Sequence, residues 1–268
     1  MLVYGLLSGP IQMSDSLPGL IGLFVAGVVA GAINSVAGGG TLISFPSLIA
    51  FGVPPVPANA TNTAAVCPGA LSSAYAYRHD LPKGHGLLTL LILPSLIGGL
   101  LGAWVLAATP NWLFARIVPF LVLFATILFA ARKQSARRMG FASVEEAHTS
   151  LGARIWGFFF QLFVAAYGGY FGAGIGILML ASLGVMGLRD IHMMNALKTI
   201  LSTLINGMAL IYFIIKGLIV WPIALLMAAG AILGGYAGAR LAKRVNQGYL
   251  QVFIVAVGLF VSAWLFFR

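Results

Sequence analysis

Hydrophobic residues run in long blocks along this chain, at about 19–36, 41–51, 58–78, 86–107, 112–131, 155–173, 177–187, 192–215, 219–239 and 248–267. Most blocks reach the ~20 residues that a helix needs to cross about 30 Å of hydrocarbon. Two, 41–51 and 177–187, are too short to cross. One long polar interval, "ARKQSARRMGFASVEEAHTS" at 131–150, divides the chain into two similar lengths. The pattern predicts an all-α polytopic membrane protein of two units, 17–131 and 153–267, joined by a cytoplasmic linker loop at 132–152.

The two units resemble each other. At an offset of 136, Gly38 and Gly40 fall on Gly174 and Gly176, and Asn59, Ala60 and Thr63 fall on Asn195, Ala196 and Thr199. The same register places "GGLLGA" (98–103) on "GGYAGA" (234–239), so a single ungapped register aligns three motifs. Each unit reads as a broken, re-entrant-like helical hairpin followed by three transmembrane helices. Such a unit crosses the membrane an odd number of times, which makes the second an inverted copy of the first.

Composition agrees with a membrane protein: 60% of residues are hydrophobic, 7% are charged, and the mean hydropathy is +1.02. The net charge of +10 changes the picture only through its placement. With the central loop in the cytoplasm, Arg78, Lys83, Arg132, Lys133, Arg137, Arg138, Arg154, Arg189, Arg240, Lys243 and Arg244 lie inside, and only Arg116, Lys216 and Arg268 lie outside. That asymmetry follows the positive-inside rule and predicts a multi-pass membrane protein with both termini extracytoplasmic. No basic arm or basic and aromatic patch points to nucleic acid. The lone Cys67 lies in an apolar block, which excludes an intrachain disulfide and a multi-cysteine metal site. The first residues have neither a basic n-region nor a clear cleavage site, so no removed signal peptide is expected.

The interruptions "AGGGT" (37–41) and "GAGIG" (172–176) occupy corresponding places in the two units. Backbone that leaves a helix at membrane depth must be satisfied by protein, water or substrate. Paired broken helices in inverted repeats point to a transporter's substrate site. Half-helices starting near Thr41 and Ile177 would aim free N–H groups and positive dipole ends at the centre, favouring an anion. The substrate-binding candidates are Gly38, Gly39, Gly40, Thr41, Asn59, Asn62, Gly174, Gly176, Asn195 and Lys198. Asn34, Ser44, Gln161, Ser202 and Asn206 are supporting donors that could equally cross-link helices. The glycines of "GGLLGA" and "GGYAGA" recur at helical spacing and read as helix-packing positions.

Lys198 occupies the repeat-equivalent position of Asn62, about two turns into a membrane helix. Such a lysine either faces a cavity or snorkels to the cytoplasmic face, there meeting Asp190. Asp15, Asp80, Glu145, Glu146 and Asp190 all lie in loops or at segment ends, which argues against a cation exporter. His79, His85 and His192 read as interfacial residues, and His148 as a loop residue. No metal site or cofactor is read from the chain.

The segments "VAGVVAGAINSVAGGGTLISFPSLIAFGVPP", "ANATNT" and "YGGYFGAGIGILMLASLGVMGLRDIHMMNALKT" resemble the TauE/SafE family of bacterial membrane transporters, the sulfite and organosulfonate exporters. The resemblance covers nearly the whole chain. It implies an inner-membrane carrier that exports sulfite or a related sulfur-containing anion; some members are thought to handle other small anions or to import. The residues leave a coupling ion, proton or sodium, and an oligomer open. Alternatives are a passive anion channel and a membrane sensor or scaffold subunit that transports nothing. An intramembrane enzyme would need a nucleophile with a base, or metal ligands, in the membrane core, and the sequence offers no such set.

Overall fold

Each apolar block becomes a helix. The computed structural model describes residues 17–36, 39–76, 78, 86–138, 151–186, 188, 191–241 and 247–267. These residues form ten helices and no strand: α1 (Leu17–Val36), α2 (Thr41–Ala50), α3 (Pro55–Ala76), α4 (Gly86–Ala108), α5 (Asn111–Arg138), α6 (Leu151–Tyr170), α7 (Ile175–Val185), α8 (Ile191–Ile215), α9 (Trp221–Leu241) and α10 (Gln247–Phe266). Among them α1, α4, α5, α8 and α9 contain stretches both long and apolar enough to cross a membrane. α3 falls short on composition, because its first turns carry "ANATNT". α2 and α7 have 10 and 11 residues, hence about 15 Å of length, half the hydrocarbon thickness.

Helix α5 runs on to Arg138, past the boundary expected at 131. The added residues, RKQSARR, are mostly Arg, Lys, Gln and Ala, which are strong helix formers.

The packing is done largely by helices of opposite halves. Going down α1, Gly27 and Gly31 sit against Met227 and Ala231, while Gly230, Gly234 and Gly238 sit against Phe24, Val28 and Ala32. The two helices therefore run parallel. α4 and α6 repeat the arrangement: a Cβ on Gly98 would lie 2.6 Å from both Leu162 O and Ala165 Cβ, and Gly102 faces Ala166 and Gly169. The glycines bring backbone against backbone, as their spacing predicts, and dispersion rather than the hydrophobic effect holds such contacts in lipid. Further contacts are reciprocal: α3 on α9 and α8 on α4, α2 on α10 and α7 on α5, and α5 on α10. In the last pair Thr126 meets Gly258 while Phe120 meets Phe266, so α5 and α10 are antiparallel.

The register of the halves is not uniform. α3 and α8 match at 136, since Gly235 meets Gly69 O as Gly99 meets Ile205 O. α1 and α6 match at only 134, since Gly234 meets Val28 O as Gly98 meets Leu162 O, and α2 and α7 begin 134 apart (Thr41, Ile175). Gly40, immediately before α2, thus matches Gly174, immediately before α7, and not Gly176. The expected ungapped register fails at the hairpins because two more residues separate Ile175 from Asn195 than separate Thr41 from Asn59.

Candidate functional site

Where α1 breaks, its last carbonyls have no helical partner. Lys198 on α8 fills that place. Its Nζ donates to Asn34 O at 3.4 Å, to Ser35 O at 3.3 Å and to Asn195 Oδ1 at 3.1 Å. The side chain is 2% exposed, so it does not snorkel. Burying an ammonium costs several kcal/mol, and these oxygen acceptors and the negative end of the α1 dipole help to offset it. Asp190, its proposed interfacial partner, lies outside the described residues, as does Gly38.

Lys198 lines a polar cleft where both hairpins meet α3 and α8. Asn34 and Ser35 of α1 and Thr41 of α2 come from the first break, and Gly172, Ile175 and Gly176 from the second. α8 contributes Lys198, Thr199, Ser202 and Asn206, whose spacing sets them along one helix face; Ala70 and Ser73 of α3 complete the wall. The enclosed volume is about 20 Å³, room for little more than one water. Asn34 uses its Oδ1 to accept Gly40 N–H at 3.1 Å, which leaves its amide N–H groups as donors. Thr41 Oγ1 accepts Asn62 Nδ2 at 3.4 Å, and its O–H proton likewise remains available. A cationic head with amide and hydroxyl donors suits a small oxyanion.

Of the expected site residues, Asn34, Thr41, Gly176, Lys198, Ser202 and Asn206 line the cleft. The others stand behind it. Asn62 also accepts a hydrogen bond from Ser44 Oγ, so both residues pin α3 to the start of α2. Asn195 orients Lys198. Asn59 Nδ2 donates to Tyr170 O at 2.9 Å, capping the broken end of α6. Gln161 Nε2 donates to Ser95 Oγ at 2.8 Å and joins α6 to α4.

The glycines of the breaks have backbone roles. Gly40 presses on the Ala30 carbonyl. Gly174 adopts φ 76° and Gly172 φ 77°, left-handed conformations that cost other residues energy. Neither Gly39, Gly40 nor Gly174 lines the cleft. Ser35 and Ser73 were not singled out from sequence. A serine in an apolar helix carries little signal, since its hydroxyl can turn back on its own helix, as Ser73 Oγ does to Gly69 O at 2.9 Å.

The larger cavity, about 320 Å³, lies elsewhere, between α2, the start of α3, α5 and α10. Its lining, including Phe45, Val53, Val118 and Leu265, is apolar and offers no side-chain donor to an anion. Phe45 of this lining packs against Phe114 and Phe171 with edge-to-face rings whose centroids are 5.4–6.4 Å apart.

The model of the sulfite exporter TauE/SafE family matches residues 23–265. The chain belongs to the TauE/SafE family. Its curated relatives include a probable membrane transporter protein of Haemophilus influenzae, 26% identical over 90% of this chain and 92% of that one. Another is the probable membrane transporter protein ORF9 of a Sinorhizobium species, 28% identical over 88% of each chain. A third, the probable membrane transporter protein YfcA of Escherichia coli K12, is 29% identical over 93% of this chain and 91% of its own length. No solved structure matches the chain. The family and its helices make this TauE/SafE member a multi-pass membrane protein, and its relatives are named as transporters.

Proposed function

We propose that the protein is a secondary carrier of small anions, of the sulfite or organosulfonate class, working by alternating access across a bacterial inner membrane. One observation carries the reading: a fully buried ammonium, Lys198, lines a cleft built from both helix breaks. The reciprocal packing of α1 on α9 and α6 on α4 supports two inverted repeats, 17–131 and 153–267, that rock about this cleft. A volume near 20 Å³ admits no sulfite without movement, which favours a carrier over a standing pore.

Counterflow in proteoliposomes tests the reading, with unlabelled sulfite or a short sulfonate inside, labelled substrate outside, and zwitterionic taurine for comparison. Saturable counterflow confined to anions is expected. Non-saturating flux would assign a channel, and no anion flux from folded protein would remove the anion-carrier assignment.

A further inference from the structure

Asn34 O, Ser35 O and Asn195 Oδ1, which accept from Lys198 Nζ, have counterparts in the other half. At the 134-residue offset of the hairpins, Asn34 O and Ser35 O at the end of α1 correspond to Gly168 O and Gly169 O at the end of α6. At the 136-residue offset of the following helices, Asn195 corresponds to Asn59, and Lys198 itself to Asn62. Asn62 does not reach this place, being bonded to Thr41 and Ser44 on α2.

The three counterpart oxygens are left over. Gly172 N–H, which would continue the helix to Gly168 O, turns to Tyr167 O at 3.3 Å, as does Phe171 N–H at 2.9 Å. Among the described residues no donor reaches Gly168 O or Gly169 O across the break. Asn59 is 1% exposed, and its Oδ1 is a buried oxygen without a hydrogen-bond partner. Its Nδ2 is held on Tyr170 O, which fixes this amide at the end of α6. Buried polar oxygens are rarely left unmatched, and three around one helix C-terminus make a negative, uncharged cradle.

We propose that this cradle, Gly168 O, Gly169 O and Asn59 Oδ1, binds a monovalent alkali cation in the place that the Lys198 ammonium fills in the opposite half. Carbonyl and amide oxygens are the ligands hard cations take. The oxygens of the cradle are neutral and correspond to ones that meet a single positive charge, the Lys198 ammonium, in the opposite half. The inference rests on the correspondence of the halves and not on the anion assignment, so it survives or fails independently of counterflow.

Thermal unfolding of the purified full chain in detergent tests it, in LiCl, NaCl, KCl or N-methylglucamine chloride at equal ionic strength. A saturable rise in midpoint with one or more alkali cations over N-methylglucamine is expected, since a ligand of the native state stabilises it. Asn62→Lys supplies an ammonium to the cradle and should make the midpoint independent of the cation. Asn59→Asp adds a charge beside the ion and should tighten apparent affinity at least tenfold at neutral pH. Equal wild-type midpoints in all four salts overturn the proposal. So does an unchanged cation response in Asn59→Asp, which decides the matter if Asn62→Lys does not fold.

Discussion

Lys198 Nζ donates to Ser35 O at 3.3 Å and so ties α8 of the second half to the broken end of α1 in the first. The lysine is at once the cap of α1 and the positive charge of the cleft, and substitutions separate these roles. Lys198→Gln keeps a neutral donor but removes the charge. Its unfolding midpoint should stay within a few degrees of wild type while counterflow falls at least tenfold, about 1.4 kcal/mol of lost anion stabilisation. Lys198→Met leaves the acceptors without the ammonium and should cost about 1–3 kcal/mol of stability besides. Normal flux in folded Lys198→Gln would remove the residue from the substrate site.

The glycine breaks should fail by strain. Gly174→Ala places a side chain at φ 76°, which costs about 1–2 kcal/mol, and its Cβ would lie 3.3 Å from Ala125 Cβ. Since Gly174 stands behind the cleft, the variant should unfold earlier yet bind its anion with unchanged KM. A raised KM at unchanged stability would instead restore the role expected from sequence, close approach of ligand to this backbone. Gly40→Ala should be worse, because its Cβ meets the Ala30 backbone, which has no rotamer to change.

Much of this was legible in the chain. The ten apolar blocks became the ten helices because membrane helices need a hydrophobic length that no other element supplies. Lys198 stood out because a lysine within such a block demands a partner. The two-residue shift between hairpins was hidden by the glycines themselves: "AGGGT" and "GAGIG" match in more than one register, and only the helix starts at Thr41 and Ile175 choose between them. The roles of Asn59 and Asn62 were also out of reach. An asparagine facing a ligand and one capping a helix end look alike until the backbone it meets is known.

Helix contacts between the halves should be unforgiving of size. A Cβ on Gly99 would lie 2.9 Å from Ile205 O, at the α4–α8 contact. Gly99→Val should lower the unfolding free energy in detergent by about 1–3 kcal/mol, the usual range for overpacking. Gly207 on the same α8 has open space around it, so Gly207→Ala should be neutral or gain up to about 1 kcal/mol of helix propensity. Equal effects would mean that packing between halves does not set stability.

Charge placement predicts an orientation that single cysteines can test. Cys67 is buried, so Cys67→Ser should supply a background silent to membrane-impermeant maleimide. Lys216, beside the Tyr212 ring, and Arg116, beside Trp112, lie at the ends predicted to face outward. Arg78, stacked on Tyr75, and Arg240, on Tyr236, lie at the ends predicted to face the cytoplasm. Such aromatic and cationic pairs suit a membrane–water boundary, where the ring stays in lipid and the charge in water. Lys216→Cys and Arg116→Cys should label in intact cells, and Arg78→Cys and Arg240→Cys only after permeabilisation. α3 and α9 run parallel, with Thr61 bonded to Val220 N–H and Ser73 to Gly235 O, so Arg78 and Arg240 must report the same side. The reverse labelling pattern would invert the topology, and a split between Arg78 and Arg240 would contradict the packing of α3 on α9.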